Sequence, residues 1–232
     1  MAAPTGIFVT GTDTGVGKTW ISLGLMMLAR QRGLRVAGMK PVAAGCVATP
    51  AGLVNEDASR LRALASTVHP YSRVNPYAFE PAVAPHLAAA AAGVRIAIPR
   101  LTDTYASLAA AADLVVVEGI GGWQVPLSAG QTVADLARAL ALPVVLVVGL
   151  RLGCLNHALL SAESILKAGA PLAGWAASTL DPRMPMAAEN VLALRERLPA
   201  PCLGVLPWLP GFELPAVAAH LSLPRLPESG LK

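Results

Sequence analysis

The residues best suited to chemistry begin where the first apolar run ends. Ile7-Phe8-Val9 leads into Thr10-Gly11-Thr12-Asp13-Thr14-Gly15-Val16-Gly17-Lys18-Thr19, and a helical pattern follows from Trp20 to Arg32. A glycine-rich turn between a buried strand and a helix lets backbone N–H groups converge on phosphate oxygens. The helix N-terminus behind them adds about half a positive charge. Lys18 then supplies a mobile ammonium for the outer phosphates, and Thr19 a hydroxyl for a phosphate-bound Mg²⁺. Gly15, Val16, Gly17, Lys18, Thr19 and Trp20 are therefore expected around a nucleoside triphosphate. The spacing departs from the commonest phosphate loop, because position 12 is Thr and the glycine stands one place earlier, at Gly11. A turn built only for packing would leave Gly-x-Gly-Lys-Thr unexplained.

Lysine is scarce, which sharpens the search. Of four lysines, Lys232 is terminal and Lys167 falls late in a helical pattern, while Lys18 and Lys40 each follow an apolar strand. Lys40 closes the strand-like Arg35–Pro41 and is expected as a second cation for transferring oxygens. Glu118 follows Leu114-Val115-Val116-Val117, the strand-end position from which phosphate-loop enzymes hold Mg²⁺. The bland alternative is a carboxylate receiving N–H groups from a Gly119–Gly122 turn; the metal role is preferred. Asp57, in Asn55-Glu56-Asp57, is equally an ordinary first-turn acid and a metal ligand. Gly153-Cys154-Leu155-Asn156-His157 opens a helix whose free N–H groups could take a carboxylate. A thiol there is a nucleophile in principle, yet no His/Asp partner set accompanies Cys154. His86 and His157 are expected as satisfied structural residues and Trp175 as core. Pro207-Trp208-Leu209 is a packing corner or a shelf for a nucleobase.

These residues need a scaffold, and the rest of the chain supplies one. Leu114–Val117, Val144–Val148, Leu172–Ala177 and Leu203–Leu206 are further strand-like segments. Helical composition lies around 56–66, 103–112, 132–141, 155–168 and 186–198, and Ala88–Ala92 also reads as helix. Near-continuous apolar strands suit a parallel sheet covered on both faces. Their alternation with helices predicts a doubly wound, mostly parallel α/β sheet of the P-loop NTPase type, with ligands at the strand carboxyl ends. One domain over 1–232 is expected. Of 232 residues 54% are hydrophobic and 14% charged, which excludes a disordered chain. The net charge of +4 is carried by scattered arginines, with no nucleic-acid footprint. The longest apolar run, Ala139–Leu150, contains Pro143 and is too short to span a bilayer. No basic leader precedes an apolar stretch at the N-terminus, and three cysteines lack CxxC spacing, so a cytoplasmic location is expected.

Taken together, six segments resemble the dethiobiotin synthetase family: Val9–Thr19, Gly38–Gly45, Val74–Phe79, Val117–Trp123, Leu152–His157 and Pro207–Leu209. Each is weak alone; their order and spacing are specific. The resemblance implies a homodimer, ATP as co-substrate and Mg²⁺ as cofactor. The reaction it implies joins 7,8-diaminopelargonic acid and CO₂ into dethiobiotin for biotin synthesis, through a carbamate and a carbamic-phosphoric anhydride. It implies catalytic roles for Lys18, Lys40 and Thr14, and Mg²⁺ ligation by Thr19, Asp57 and Glu118. Gly119, Ile120 and Gly121 join the nucleotide set, and Ser178, Thr179, Pro207, Trp208 and Leu209 fall where the family binds adenine. Thr14, Lys40, Ala44, Gly153, Cys154, Leu155 and Asn156 fall at the substrate, the last four reaching across to the neighbouring subunit.

Three positions depart from the family. Gly15 stands where some members carry Glu, Ala44 where a Ser or Thr hydroxyl is usual, and Ser178 where an Asn would read the edge of adenine. Two other classes compete. A switch ATPase of the partition or division type would carry a lysine at position 13, where this chain has Asp13. A corrinoid amidotransferase-like synthetase would need room for a second domain.

Overall fold

Apolar runs without polar interruption can be buried only between two layers, and here they are. The computed structural model describes residues 6–211 and 213–225. In chain order its first half comprises β1 (Gly6–Gly11), α1 (Lys18–Gln31), β2 (Val36–Met39), β3 (Val42–Ala43), β4 (Val47–Thr49), β5 (Gly52–Val54), α2 (Glu56–Leu64), α3 (Tyr71–Val74), β6 (Tyr77–Ala78) and α4 (Pro85–Ala91). There follow α5 (Ile98–Ala109), β7 (Leu114–Gly122), α6 (Val133–Leu140), β8 (Val144–Leu150), α7 (Cys154–Lys167), β9 (Leu172–Thr179), α8 (Ala187–Arg197), β10 (Cys202–Leu206) and α9 (Leu214–Ala219).

Six strands form one sheet in the order β10-β9-β8-β1-β7-β2, with every pairing parallel. β1 lies between β7 and β8, so the chain winds to one side of it first and to the other side later. Its carboxyl end is the point of reversal, where open α/β sheets leave a crevice. Side chains alternate across the sheet. Ile7 and Val9 join Ile21, Leu25 and Met26 of α1, Leu61 of α2 and Val217 of α9 on one face. Phe8 turns to the other face, among Leu101 of α5, Leu136 of α6, Ile165 of α7 and Leu194 of α8.

One glycine sets how closely α2 approaches the sheet. A Cβ on Gly38 would stand 2.7 Å from the Leu61 Cβ, so only the bare backbone lets α2 settle on β2. That contact brings the first turn of α2, with Asp57, toward the end of β2, with Lys40. Gly38→Ala is expected to destabilise the protein by about 1–3 kcal/mol, the usual cost of overpacking. Urea denaturation measures it; an unchanged midpoint would show that α2 retreats freely.

The expected strands and helices are present, with shifted ends. α1 begins at Lys18 rather than Trp20, and the helix expected at 103–112 starts earlier, at Ile98, with a proline in its first turn. The larger correction is at β7. The expected strand covers only Leu114–Val117, and the alternative for Glu118 has a turn over Gly119–Gly122, but the strand continues through Gly122, which pairs with Gly11. The glycines make this possible rather than preventing it. A Cβ on Gly119 would press against the Phe8 ring at 3.2 Å, and Gly121 adopts a positive φ of 59° that favours glycine. The small β3–β6 and β4–β5 pairings had no signal in the sequence. Beyond Pro210, α9 packs on α1: a Cβ on Gly24 would meet Leu221 at 2.6 Å and Val217 at 3.0 Å.

Candidate functional site

The loop after β1, the residue after β2, the later part of β7 and the first turn of α2 each deliver a polar residue to a common point. The loop after β1 turns on two glycines in left-handed conformation, Gly15 (φ 73°) and Gly17 (φ 89°), the second of which starts α1. A side chain at Gly17 would be strained by its φ and would also stand 2.8 Å from the Ser178 hydroxyl. Lys18, on the first turn of α1, donates to the Asp13 carbonyl at 2.8 Å. Burial pushes its ammonium down from the usual 10.5 to about 8, and the neighbouring Lys40 charge pushes the same way.

Lys40 is the centre of the arrangement. Its Nζ donates to Glu118 Oε1 at 2.5 Å, to Asp57 Oδ2 at 3.1 Å and to the Gly119 carbonyl at 3.3 Å. The Lys40 and Glu118 side chains are 6% and 1% exposed, so this is a buried ion pair. Burial works against the Lys40 charge, but Glu118 and then Asp57 outweigh it and hold the pKa above the ordinary lysine value. For Asp57 burial raises the pKa, while Lys40 and the Thr19 hydroxyl more than offset it, leaving the carboxyl below its usual range. Thr19 Oγ1 donates to Glu118 Oε1 at 2.9 Å. The second oxygen, Glu118 Oε2, is buried with no hydrogen-bond partner among the described residues.

These groups open on a cavity of about 850 Å³. Thr14, Gly15, Gly17, Lys18, Thr19 and Trp20 line one side of it. Lys40, Ala44, Asp57, Glu118, Ile120 and Gly121 line another. The expected phosphate loop, both lysines, the three oxygen donors and Ala44 therefore meet at one place. Two carboxylates and a hydroxyl are the sparse, hard-oxygen set that Mg²⁺ takes when phosphate oxygens and waters complete its octahedron. The unpartnered Glu118 Oε2 is a donor of the kind a cation would satisfy, so the residues present fit the metal.

Other expected residues lie elsewhere. Ser178 is 6% exposed and packs against Gly17, behind the phosphate loop rather than along the cavity. Thr179 ends β9. Leu209 packs into the core near α1, and Trp208 is half exposed beyond β10. Gly153–Asn156 begin α7 past the end of β8, outside the cavity lining. The Cys154 thiol is 2% exposed and points to Asn190 Oδ1 at 3.9 Å, which removes the case for a solvent-reached nucleophile. His157 is exposed. His86 does not match the expectation of a satisfied side chain, because its buried Nδ1 has no hydrogen-bond partner among the described residues.

Some lining residues carry no individual signal in the sequence. Arg60 faces the cavity while pairing with Glu56 at 2.6 Å, and at i,i+4 spacing such an arginine reads as an ordinary helix pair. The Ala82–Pro85 segment, which forms part of the wall, is apolar and unremarkable as sequence. Asp13, where a switch ATPase would carry lysine, instead pairs with Arg151 just past β8. It also accepts from the Thr14 N–H at 2.7 Å.

Comparisons with known proteins bear on the fold and the family. The AAA domain family matches residues 5–216. The MinD cell division protein of Aquifex aeolicus has a similar structure, with a TM-score of 0.55 at 15% identity over 92% of this chain and 86% of that one. A ParA family ATPase of Chlorobium tepidum gives a TM-score of 0.54 at 13% identity over 89% and 85%. At such identities these two show the fold alone. The ATP-dependent dethiobiotin synthetase BioD of Pseudomonas paraeruginosa is 57% identical over 93% of this chain and 95% of its own length. That of Xanthomonas oryzae is 51% identical over 96% and 99%. With identity of that level along almost its whole length, the chain belongs to the family of ATP-dependent dethiobiotin synthetases.

Proposed function

We propose that the protein is a single P-loop domain that joins 7,8-diaminopelargonic acid and CO₂ into dethiobiotin, using ATP and releasing ADP and phosphate. The observation that carries this is the buried Lys40, held between Asp57 and Glu118 beside the phosphate loop and its Lys18. Two ammonium groups at one cavity suit a reaction that crowds anions together. A substrate amine adds to CO₂, loses a proton and becomes a carbamate. A carbamate oxygen attacks the γ-phosphorus as the bond to ADP breaks, giving a carbamic-phosphoric anhydride. The second amine then attacks the carbonyl carbon, loses a proton and expels phosphate, closing the ring.

The chain has no covalent work in this scheme; it supplies position and charge. Lys18 neutralises the outer phosphates, and the loop amides of Gly15, Val16 and Gly17 cradle them. Lys40 stabilises charge on the carbamate and on the transferring phosphoryl group. Thr14, on the exposed rim of the loop, would hydrogen-bond the substrate side. Thr19, Asp57 and Glu118 would hold Mg²⁺, which when bound neutralises phosphate charge. Ile120 and Gly121, which line the cavity, would form the wall beneath the phosphates, with Gly119 behind them. The N-terminal turn of α7 (Gly153, Cys154, Leu155 and Asn156), lying outside its own cavity, would meet the distal carboxylate of substrate bound to the other subunit of a homodimer. A cytoplasmic location, with neither a membrane nor a nucleic acid as partner, accords with small-molecule substrates. Among the described residues no helix is long and apolar enough to cross a membrane.

The test is phosphate release from ATP with Mg²⁺ and bicarbonate, measured with and without the diamine. Release that depends on the diamine is expected; equal release in both would point instead to a switch ATPase. A second expectation concerns base choice. Thr179, Pro207, Trp208 and Leu209 would line the adenine site with Ser178, whose single hydroxyl replaces a two-sided amide and sits behind Gly17. ATP should therefore be favoured over CTP only modestly in kcat/KM. A preference of several orders of magnitude would contradict this.

A further inference from the structure

Lys40 and Asp57 are placed by a segment that never touches the cavity. Lys40 lies one residue past β2, so the sheet does not fix its backbone. Its N–H donates to the Val74 carbonyl at 2.8 Å, and its carbonyl accepts from Asn75 Nδ2 at 2.7 Å. The same Asn75 amide donates to the Tyr77 carbonyl at 3.1 Å. Asn75 Oδ1 accepts from the Tyr71 hydroxyl at 3.2 Å, and that hydroxyl in turn accepts from the Asn55 N–H at 2.7 Å. Asn55 is the N-cap of α2: its side chain accepts from the Ala58 N–H, and Asp57 is the second helical residue after it. One hydroxyl and one amide, four residues apart on α3 and its C-cap, thus tie the start of α2 to the end of β2. Asn75 is 3% exposed, and neither it nor Tyr71 lines the cavity.

We infer that Tyr71 and Asn75 are positioning residues for the synthetase reaction, fixing the separation of Lys40 and Asp57 through the backbones that carry them. This rests on the roles proposed above for those two side chains. The chemistry asks for such a brace. Glu118 comes from the interior of β7, whereas Lys40 and Asp57 come from a strand end and a helix start, the parts of a fold most free to drift. Outer partners that orient ligands typically matter by about 10–100-fold in metal affinity or activity.

Tyr71→Phe removes only the hydroxyl. Tyr77→Phe is a matched control, because its hydroxyl also accepts from a helix N-cap, the Ala97 N–H at 3.0 Å, but serves α5 and not the cavity. The two variants should lose similar thermal stability. Calorimetric titration of Mn²⁺ into protein saturated with a non-hydrolysable ATP analogue should show about tenfold weaker binding for Tyr71→Phe. Turnover should fall in parallel, and Tyr77→Phe should match wild type in both measurements. Equal Mn²⁺ affinity and turnover in the two variants would overturn the positioning role. Asp57→Ala in the same titration separates the layers. Weakened binding there with normal Tyr71→Phe sinks only the brace, while unchanged binding in Asp57→Ala overturns the metal role and the Asp57 half of this inference with it.

Discussion

Lys40→Ala is expected to lower kcat by about a thousandfold, the scale on which a transition-state charge partner acts, with little change in KM for ATP. The same substitution should also destabilise the protein. Glu118 is 1% exposed and accepts from Lys40 at 2.5 Å, so alanine strands a buried carboxylate next to Asp57. Breaking a buried pair in this way costs about 3–5 kcal/mol. A divalent cation should restore much of that loss, because it can neutralise the carboxylates left behind. Mg²⁺ without nucleotide should therefore raise the Tm of the variant more than that of wild type, yet leave turnover low. Loss of activity with a wild-type Tm at every Mg²⁺ concentration would mean the ion pair does not exist in solution.

Lys18→Ala should fail in a different way. In its proposed role the ammonium would meet phosphate in both ground and transition states, so KM for ATP should rise while kcat falls by about a hundredfold or more. Stability should move in the opposite sense to Lys40→Ala. Lys18 is buried with its pKa depressed to about 8, so the folded protein holds its charge reluctantly. Below about pH 8 both folded and unfolded chains carry the proton, and burial costs stability. Between about 8 and 10.5 the unfolded chain keeps a proton that the folded one releases, so this group's contribution shifts toward folding as pH rises. Alanine removes the cost at neutral pH and abolishes that rise. For wild type, nucleotide should bind with uptake of about half a proton at pH 8, seen as a heat that depends on buffer ionisation. No uptake would show that Lys18 is fully charged before the phosphates arrive.

How legible this was depended on the range of the interaction. The phosphate loop is local: strand, turn, Gly-Lys-Thr and helix are contiguous, so a dozen residues single out Lys18 and Thr19, which the structure places on the cavity. Lys40 and Glu118 stood out because each polar residue ends an apolar run, and a parallel sheet collects such ends at one edge. That they form a pair, 78 residues apart in the chain, follows from β2 and β7 being neighbours, an order no local pattern encodes. Asp57 was open between cap and ligand. The structure brings it to Lys40 through Gly38, whose missing Cβ has meaning only once Leu61 lies against it. The β7 extension was missed because consecutive glycines signal a turn, whereas here the glycines admit the Phe8 ring and a positive φ within the strand. The Tyr71–Asn75 brace was invisible for a related reason, since a tyrosine hydroxyl and an asparagine amide announce nothing until their partners are in place.

Lys40 and Lys18 are proposed to act on the same terminal phosphoryl group. A crystal structure with Mg²⁺, a non-hydrolysable ATP analogue and the diamine tests this most directly. Lys40 Nζ within hydrogen-bonding distance of a γ-phosphate oxygen, with Glu118 and Asp57 turned to the metal, is the predicted result. A lysine still locked to Glu118 and turned away from the phosphate, or a nucleotide bound outside the loop after β1, would contradict it.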